Sequence, residues 1–135
     1  MTAMKGEIEA KVYYEDTDAL GMVYYANYFK YYERGRTELF GEHGHAVADL
    51  NAAGVYVVVY HVDATFRRAP RLGERLRVTT ELRLPFESPY RLNLDQAIYR
   101  GQELLNKAKV QLVCVNADGA IQEFPAELLE LQASN

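Results

Sequence analysis

Apolar residues recur along this chain in two rhythms, one of period two and one of about 3.6 residues, and the two occupy different stretches. Val58, Tyr60, Val62, Ala64 and Phe66 alternate with Val59, His61, Asp63, Thr65 and Arg67. Leu76, Val78, Thr80, Leu82 and Leu84 alternate with Arg77, Thr79, Glu81 and Arg83. Leu92, Leu94, Gln96 and Ile98 continue the pattern, as do Val110, Leu112 and Cys114 against Lys109, Gln111 and Val113. Alternation of this length predicts half-buried antiparallel strands. Gly73, Arg100-Gly101 and Asp118-Gly119 supply turns between them. Residues 26–42 follow the other rhythm: Tyr28, Tyr32, Gly35 and Leu39 share a helical face, with Lys30, Glu33, Arg34 and Glu38 on other faces.

Smaller signals complete the outline. Residues 7–14 predict a short first strand running into a polar turn at 15–18. Asn27 is the expected N-cap of the long helix, its side chain accepting from a backbone N–H. Gly35 costs a helix about 1 kcal/mol relative to Ala, so its place mid-pattern predicts a close neighbour there. A short helix is expected over 45–53, stopped by Gly54, and a terminal one from Pro125 through Leu131. A strand, a long helix and four strands joined by short turns give an α+β fold: one antiparallel five-stranded sheet wrapped around one long helix. At 135 residues this is one domain, spanning 1–135. The sheet's second face is polar and is expected to be solvated or to carry an oligomer interface.

Charge and composition narrow the function classes. The net charge of −4 argues against a nucleic-acid partner. No apolar run approaches the roughly 20 residues that span a membrane. The first ten residues lack a signal-peptide core, and the single Cys114 cannot pair within the chain. The expectation is a soluble cytoplasmic protein. The aromatic content is unusual, with 11 Tyr, 5 Phe and no Trp, and several tyrosines crowd into residues 13–32.

That crowded stretch also carries the candidate chemistry. Residues 13–28 read YYEDTDALGMVYYANY: two carboxylates two positions apart, a glycine, then a helix start. A helix N-terminus presents unpaired N–H groups and partial positive charge, suited to holding an oxyanion. A carboxylate on the loop before it can act as nucleophile or as general base for water. Gly21 lets backbone come close to a substrate. These are the parts of a minimal acyl-hydrolysis site. By residue type alone, Asp16 and Asp18 equally suit turn hydrogen bonds, and the tyrosines a core.

Asp16, Thr17, Asp18, Gly21, Val23, Tyr24, Asn27, Tyr28, Tyr32, Glu33 and Arg34 resemble the N-terminal signature of the 4-hydroxybenzoyl-CoA thioesterase family, including its YbgC-type acyl-CoA thioesterase branch. Residues 66–70, FRRAP, followed by Gly73, resemble a strand-ending segment of the same family. The resemblance implies a hotdog fold and hydrolysis of an acyl-CoA or related acyl thioester, with no cofactor. It implies Asp18 as the catalytic carboxylate and the backbone N–H of Tyr25 as the oxyanion contact. It implies a homo-oligomer, dimer or tetramer, whose active site is built by two chains, with an acyl pocket lined by Tyr24, Tyr25 and Tyr28. Tyr25 stands where many YbgC-type proteins carry His, and the run VYYANY also resembles enediyne-polyketide thioesterases, which lack the catalytic Asp.

Substrate contacts are expected from Gly21, Val23, Tyr24 and Tyr28. The phosphates and pantetheine of CoA call for Arg67, Arg68, Ser88 and Arg91, with Arg71 in the same basic cluster. Each arginine equally suits a solvated sheet edge. Glu33 is expected to be structural, paired with Arg36 or Lys30 at helical spacing. His43 and His45 lack the further ligands of a zinc site, so no metal is expected. His61 is expected in packing or an interface, and Cys114 in inert packing. The absence of a G-x-S-x-G elbow argues against a serine hydrolase. The alternatives are a non-catalytic acyl-thioester-binding module and a thioesterase acting on acyl carrier protein or polyketide thioesters.

Overall fold

A computed structural model describes residues 3–130. The strands are β1 (Ala3–Lys11), β2 (Tyr56–Phe66), β3 (Arg75–Arg83), β4 (Arg91–Arg100), β5 (Glu103–Val115) and β6 (Ile121–Gln122). The helices are α1 (Tyr28–Glu42), α2 (Val47–Ala52) and α3 (Ala126–Leu129). Two 3₁₀ turns, Tyr14–Asp16 and Tyr25–Asn27, lead into α1.

The sheet runs β1-β3-β4-β5-β2, with every described pairing antiparallel, and β6 adds a short strand beside β5. This is the five-stranded antiparallel sheet the alternation implied, in the hotdog arrangement the family resemblance implied, with one short strand more. In β3 and β4 burial follows the period-two pattern: Leu76, Val78, Leu82, Leu92, Leu94 and Ile98 are buried on the α1 side. Each such side chain contributes about 1.5–3 kcal/mol by leaving water. From α1, Tyr31, Tyr32, Leu39 and Phe40 close the core against them.

Gly35 is where helix and sheet come closest. A Cβ there would lie 2.6 Å from Thr80 Oγ1 and 3.3 Å from Gln96 Nε2. The polar row beneath is satisfied by that approach: Gln96 Nε2 donates to the Tyr32 carbonyl and to Thr80 Oγ1, and Arg36 donates to Gln96 Oε1. Burial holds the Arg36 pKa below the usual arginine value.

Several boundaries and partners differ from expectation. The first strand ends at Lys11, and residues 14–16 form a 3₁₀ turn because the Asp16 carboxylate captures the Tyr13 N–H. The Asn27 side chain does not cap α1; its Nδ2 donates to the Asp16 carbonyl instead. Glu33 accepts from Thr37 Oγ1, while Lys30 lies 3.8 Å from Asp16 Oδ1 and Arg36 turns to Gln96. The terminal helix is short, and Leu131 lies outside the described residues. No helix among the described residues is long and apolar enough to cross a membrane.

Strand β2 is the exception to clean alternation. It forms one edge of the sheet, and Val58, Val59, Tyr60 and Phe66 are all exposed. His61 is exposed on the same strand, so within the chain it is not packed. The sheet's polar face carries a hollow of about 910 Å³ lined by residues such as Lys5, Asp63, Glu81, Asp95 and Lys109. Neither Asp18 nor the start of α1 borders it.

Candidate active site

The site is assembled from the loop between the two 3₁₀ turns. Thr17 and Val23 bridge its neck, Asp18 N donates to the Met22 carbonyl at 2.9 Å, and Gly21 N donates to the Asp18 carbonyl at 3.0 Å. The reversal needs a residue at φ +75, which Gly21 supplies. The loop is tied to the segment that follows FRRAP. Val23 N donates to the Pro70 carbonyl, Leu72 N to the Gly21 carbonyl, and Met22 bridges Arg71. The two stretches that carried the family resemblance thus meet through backbone hydrogen bonds.

Asp16 and Asp18 occupy opposite environments on this loop. Asp16 is 2% exposed. Its Oδ2 accepts from Tyr13 N and Tyr31 Oη, each at 3.0 Å, and its carbonyl accepts from Tyr24 N and Asn27 Nδ2, each at 2.9 Å. Its four hydrogen bonds therefore gather Tyr13, Tyr24 and Asn27 from the loop and its turns and Tyr31 from α1. Burial first, then the hydrogen bond to Asp16 and its charge, pushes the Tyr31 pKa well above the usual tyrosine value. Asp18 is exposed. Its Oδ1 accepts from Leu20 N at 2.8 Å and Met22 N at 3.4 Å, which fixes the carboxylate in its loop. Among the described residues no donor reaches Oδ2.

Tyr25 opens the 3₁₀ turn that runs into α1, so the expected α-helical N–H is in fact the first N–H of that turn. The N–H groups of Tyr25 and Ala26 have no carbonyl one turn earlier to receive them. Around this point rings gather. Tyr24 and Tyr25 have centroids 4.9 Å apart, and Phe66 meets Tyr28 edge-on at 4.9 Å and Tyr25 at 6.5 Å. Tyr28 is buried, whereas Tyr24, Tyr25 and Phe66 remain exposed. Burial, with the Asp18 charge behind it, raises the Tyr28 pKa, so its hydroxyl stays protonated at neutral pH. Val23 is buried in the core.

The basic residues divide into two groups. Arg67 and Arg68 follow β2, each donating its backbone N–H to the Leu105 carbonyl, with Arg68 Nε 3.1 Å from Glu103. Arg91 lies over the Tyr60 ring at 4.7 Å, and Ser88 Oγ accepts from Tyr90 N. Arg67 follows Tyr60 by seven positions along β2 and just past its end, about 23 Å at the usual rise. Within one chain the two groups therefore do not meet.

Phe66, which meets the Tyr25 and Tyr28 rings, is a site neighbour that spacing alone did not reveal, and the buried Asn106 is its partner across the β2–β5 ladder. Phe66 stood in the strand alternation and in FRRAP, neither of which marked it as a site residue, and Asn106 gave no signal. His43 Nδ1 lies 3.0 Å from the Leu39 carbonyl at the end of α1, and Cys114 is buried. Among the described residues no cluster of His, Cys, Asp and Glu is disposed to hold a metal ion.

A family profile described as the thioesterase-like superfamily matches residues 12–132. The acyl-CoA thioester hydrolase YbgC of Escherichia coli O6:H1 is 36% identical over 106 residues, covering 78% of this chain and 78% of that protein. The acyl-CoA thioesterase YbgC of Helicobacter pylori is 41% identical over 76 residues, covering 56% of this chain and 55% of that one. Among solved structures, a probable thioesterase of Bartonella henselae superposes with a TM-score of 0.84 at 30% identity, covering 90% of this chain and 100% of that one.

Proposed function

The chain belongs to the thioesterase-like superfamily, and from the geometry of its loop we propose that it hydrolyses an acyl-CoA, or a related acyl thioester, to free acid and thiol. Asp18 is the catalytic carboxylate, and the Tyr25 N–H receives the carbonyl oxygen. One observation carries this reading: Asp18 holds one oxygen in its own loop and leaves the other open, near a helix start with unpaired N–H groups.

The thioester carbonyl lies between the two. Its oxygen gains negative charge as the tetrahedral state forms, and preorganised N–H donors stabilise that charge without reorganising. The open oxygen of Asp18 either attacks the carbonyl carbon or takes a proton from a water that attacks it. The C–S bond breaks, the thiolate leaves and is protonated, and water supplies the acid's new oxygen by either route. Tyr24, Tyr25, Tyr28 and Phe66 present the apolar surface for the acyl group, and Gly21 lets backbone lie close to it.

On one chain this site is an open ledge. The apolar side chains of edge strand β2 call for a second copy, and antiparallel pairing of β2 with itself covers them. That pairing carries Ser88 and Arg91 of one protomer toward Arg67 and Arg68 of the other, giving CoA phosphates and pantetheine a basic mouth. A thiol-release assay over acyl groups on both CoA and acyl carrier protein tests the reading. Turnover abolished by Asp18→Asn supports it, and absence of turnover on every thioester refutes it.

A further inference from the structure

Two buried amides face α1 from the sheet, and they are not equally satisfied. Gln96 uses both ends, donating to the Tyr32 carbonyl and Thr80 Oγ1 and accepting from Arg36. Asn106 is 0% exposed and uses one. Tyr32 Oη donates to its Oδ1, while its Nδ2 is buried without a hydrogen-bond partner. Turning the amide round would strand Oδ1 and the Tyr32 hydroxyl proton instead, so the spare group is a donor. Among the described residues Asp95 Oδ2 is the other such buried atom, and it has the Arg83 guanidinium in ion-pair contact. Buried amide N–H groups are almost always paired, so an unpaired one points to something that completes it.

The location of Asn106 says what. Phe66 is its partner across the β2–β5 ladder, so the two side chains share the α1 face of the sheet. The Phe66 ring is partly exposed at the sheet edge and meets Tyr28. Tyr28 lies one helical turn, about 6 Å, before Tyr32, and it feels the charge of Asp18. Tyr28, Phe66 and Asn106 are thus successive neighbours on the α1 side of the sheet edge, with Tyr28 at the helix end that follows the Asp18 loop. Phe66 is the exposed one of the three, at the end of an edge strand.

We infer that the preferred acyl group bears a hydrogen-bond acceptor near its far end, a hydroxyl, ether or carbonyl oxygen, and that Asn106 Nδ2 receives it when the Phe66 ring swings aside. This rests on reading the site as a thioester hydrolase. A site built to hydrogen-bond a substrate oxygen discriminates strongly against the analogue lacking it, because its own donor is then left unpaired.

The test uses acyl pairs matched in length and differing by one oxygen, such as pentanoyl-CoA and levulinoyl-CoA, with an aromatic pair of the same design. For at least one pair the wild-type protein should favour the oxygenated member by about tenfold or more in kcat/KM. The double variant Tyr32→Phe/Asn106→Leu removes both polar partners together, which shape-matched apolar replacement tolerates, and its ratio should fall to about one. Asn106→Asp, nearly isosteric but without the amide donor, should lose the preference too. A wild-type ratio within about twofold for every pair overturns the inference, as does a double variant that keeps the ratio. The same pairs, titrated calorimetrically as non-hydrolysable thioethers, separate this inference from the activity beneath it. Tighter binding of the oxygenated thioether without turnover of any ester refutes the hydrolase reading and keeps the acceptor site. Equal turnover of both members does the reverse, and neither binding nor turnover refutes both.

Discussion

Asp16 and Asp18 stand two residues apart on one loop and live in different electrostatic worlds. The region around Asp16 is a buried hub, with both side chain and carbonyl occupied by donors from the loop and α1. The region around Asp18 is an exposed ledge, where the loop's own N–H groups hold one oxygen and leave the other open. A buried carboxylate with one oxygen held by two protein donors and the other turned to a lysine is structural, because burial shuts it away from a substrate. A carboxylate anchored on one side only is positioned with one oxygen left open, as the proposed catalytic role of Asp18 requires. The loop thus uses one acid to hold the other in place, and the two should fail in different ways when changed.

The largest expected effect is at the ledge. Asp18→Asn should lower kcat by at least about 10²-fold with KM changed far less, the pattern of losing a group that acts in the transition state. Stability should change little, since the amide oxygen can still accept from Leu20 N. Full turnover in this variant together with loss in Asp16→Asn would invert the assignment. Next in size is the covering of the ledge. Val59→Asp places a charge on the exposed edge of β2, where one chain tolerates it. Sedimentation should show a smaller species, and kcat/KM should fall by about tenfold or more. A monomer that keeps full activity would mean that one chain closes the site alone.

At the hub the effect should appear in stability first. Asp16→Asn weakens the contacts to Tyr13 N and Tyr31 Oη and the ion pair with Lys30, and should lower unfolding free energy by about 1–3 kcal/mol in urea titration. Its cost in kcat should be smaller than that of Asp18→Asn. Gly35→Ala is the control for core damage far from either carboxylate. A helix gains about 1 kcal/mol from Ala, but the contact with Thr80 Oγ1 forces a shift that costs about 1–3 kcal/mol, so net destabilisation is expected.

The smallest effect is a pH dependence that also belongs to the hub. Tyr31 is held above its ordinary pKa of 10.0, first by burial and then by Asp16. The unfolded chain therefore ionises at this residue before the folded one. The stability this contributes is complete below pH about 10 and is lost as pH rises beyond it. Tyr31→Phe should shallow the alkaline fall in stability by up to about 1.4 kcal/mol per pH unit, read from denaturation at pH about 9 and about 11. An unchanged alkaline slope would show that Tyr31 does not carry it.

The order of strand, long helix and four strands was legible in the alternation and helical spacing, because each element's buried face repeats with its own backbone period. Gly35 announced its close approach because a helix-weakening residue inside a strong helical pattern needs a reason. The YYEDTD stretch marked the site by residue type and family resemblance, yet spacing could not say which acid was buried. That depended on Tyr31 and Asn27 arriving from the helix, which the one-dimensional pattern does not encode. The cap expected from Asn27 failed for the same reason: the Asp16 carbonyl competed for its side chain and won. Glu33 likewise found Thr37, because Lys30 and Arg36 were drawn to Asp16 and Gln96.

By itself, then, the sequence determined what is periodic or local: the helix, the alternating strands, the glycine turns, and a loop able to carry an acid beside a helix start. The tertiary structure decided everything that depends on which distant groups compete for one partner. It buried Asp16 and exposed Asp18, tied the loop to the segment after FRRAP, kept the two arginine groups apart within the chain, and left the Asn106 amide with a free donor. The physical reason is common to all four. Hydrogen-bond satisfaction and burial are properties of neighbours brought together by folding, whereas propensity and periodicity are properties of the chain before it folds.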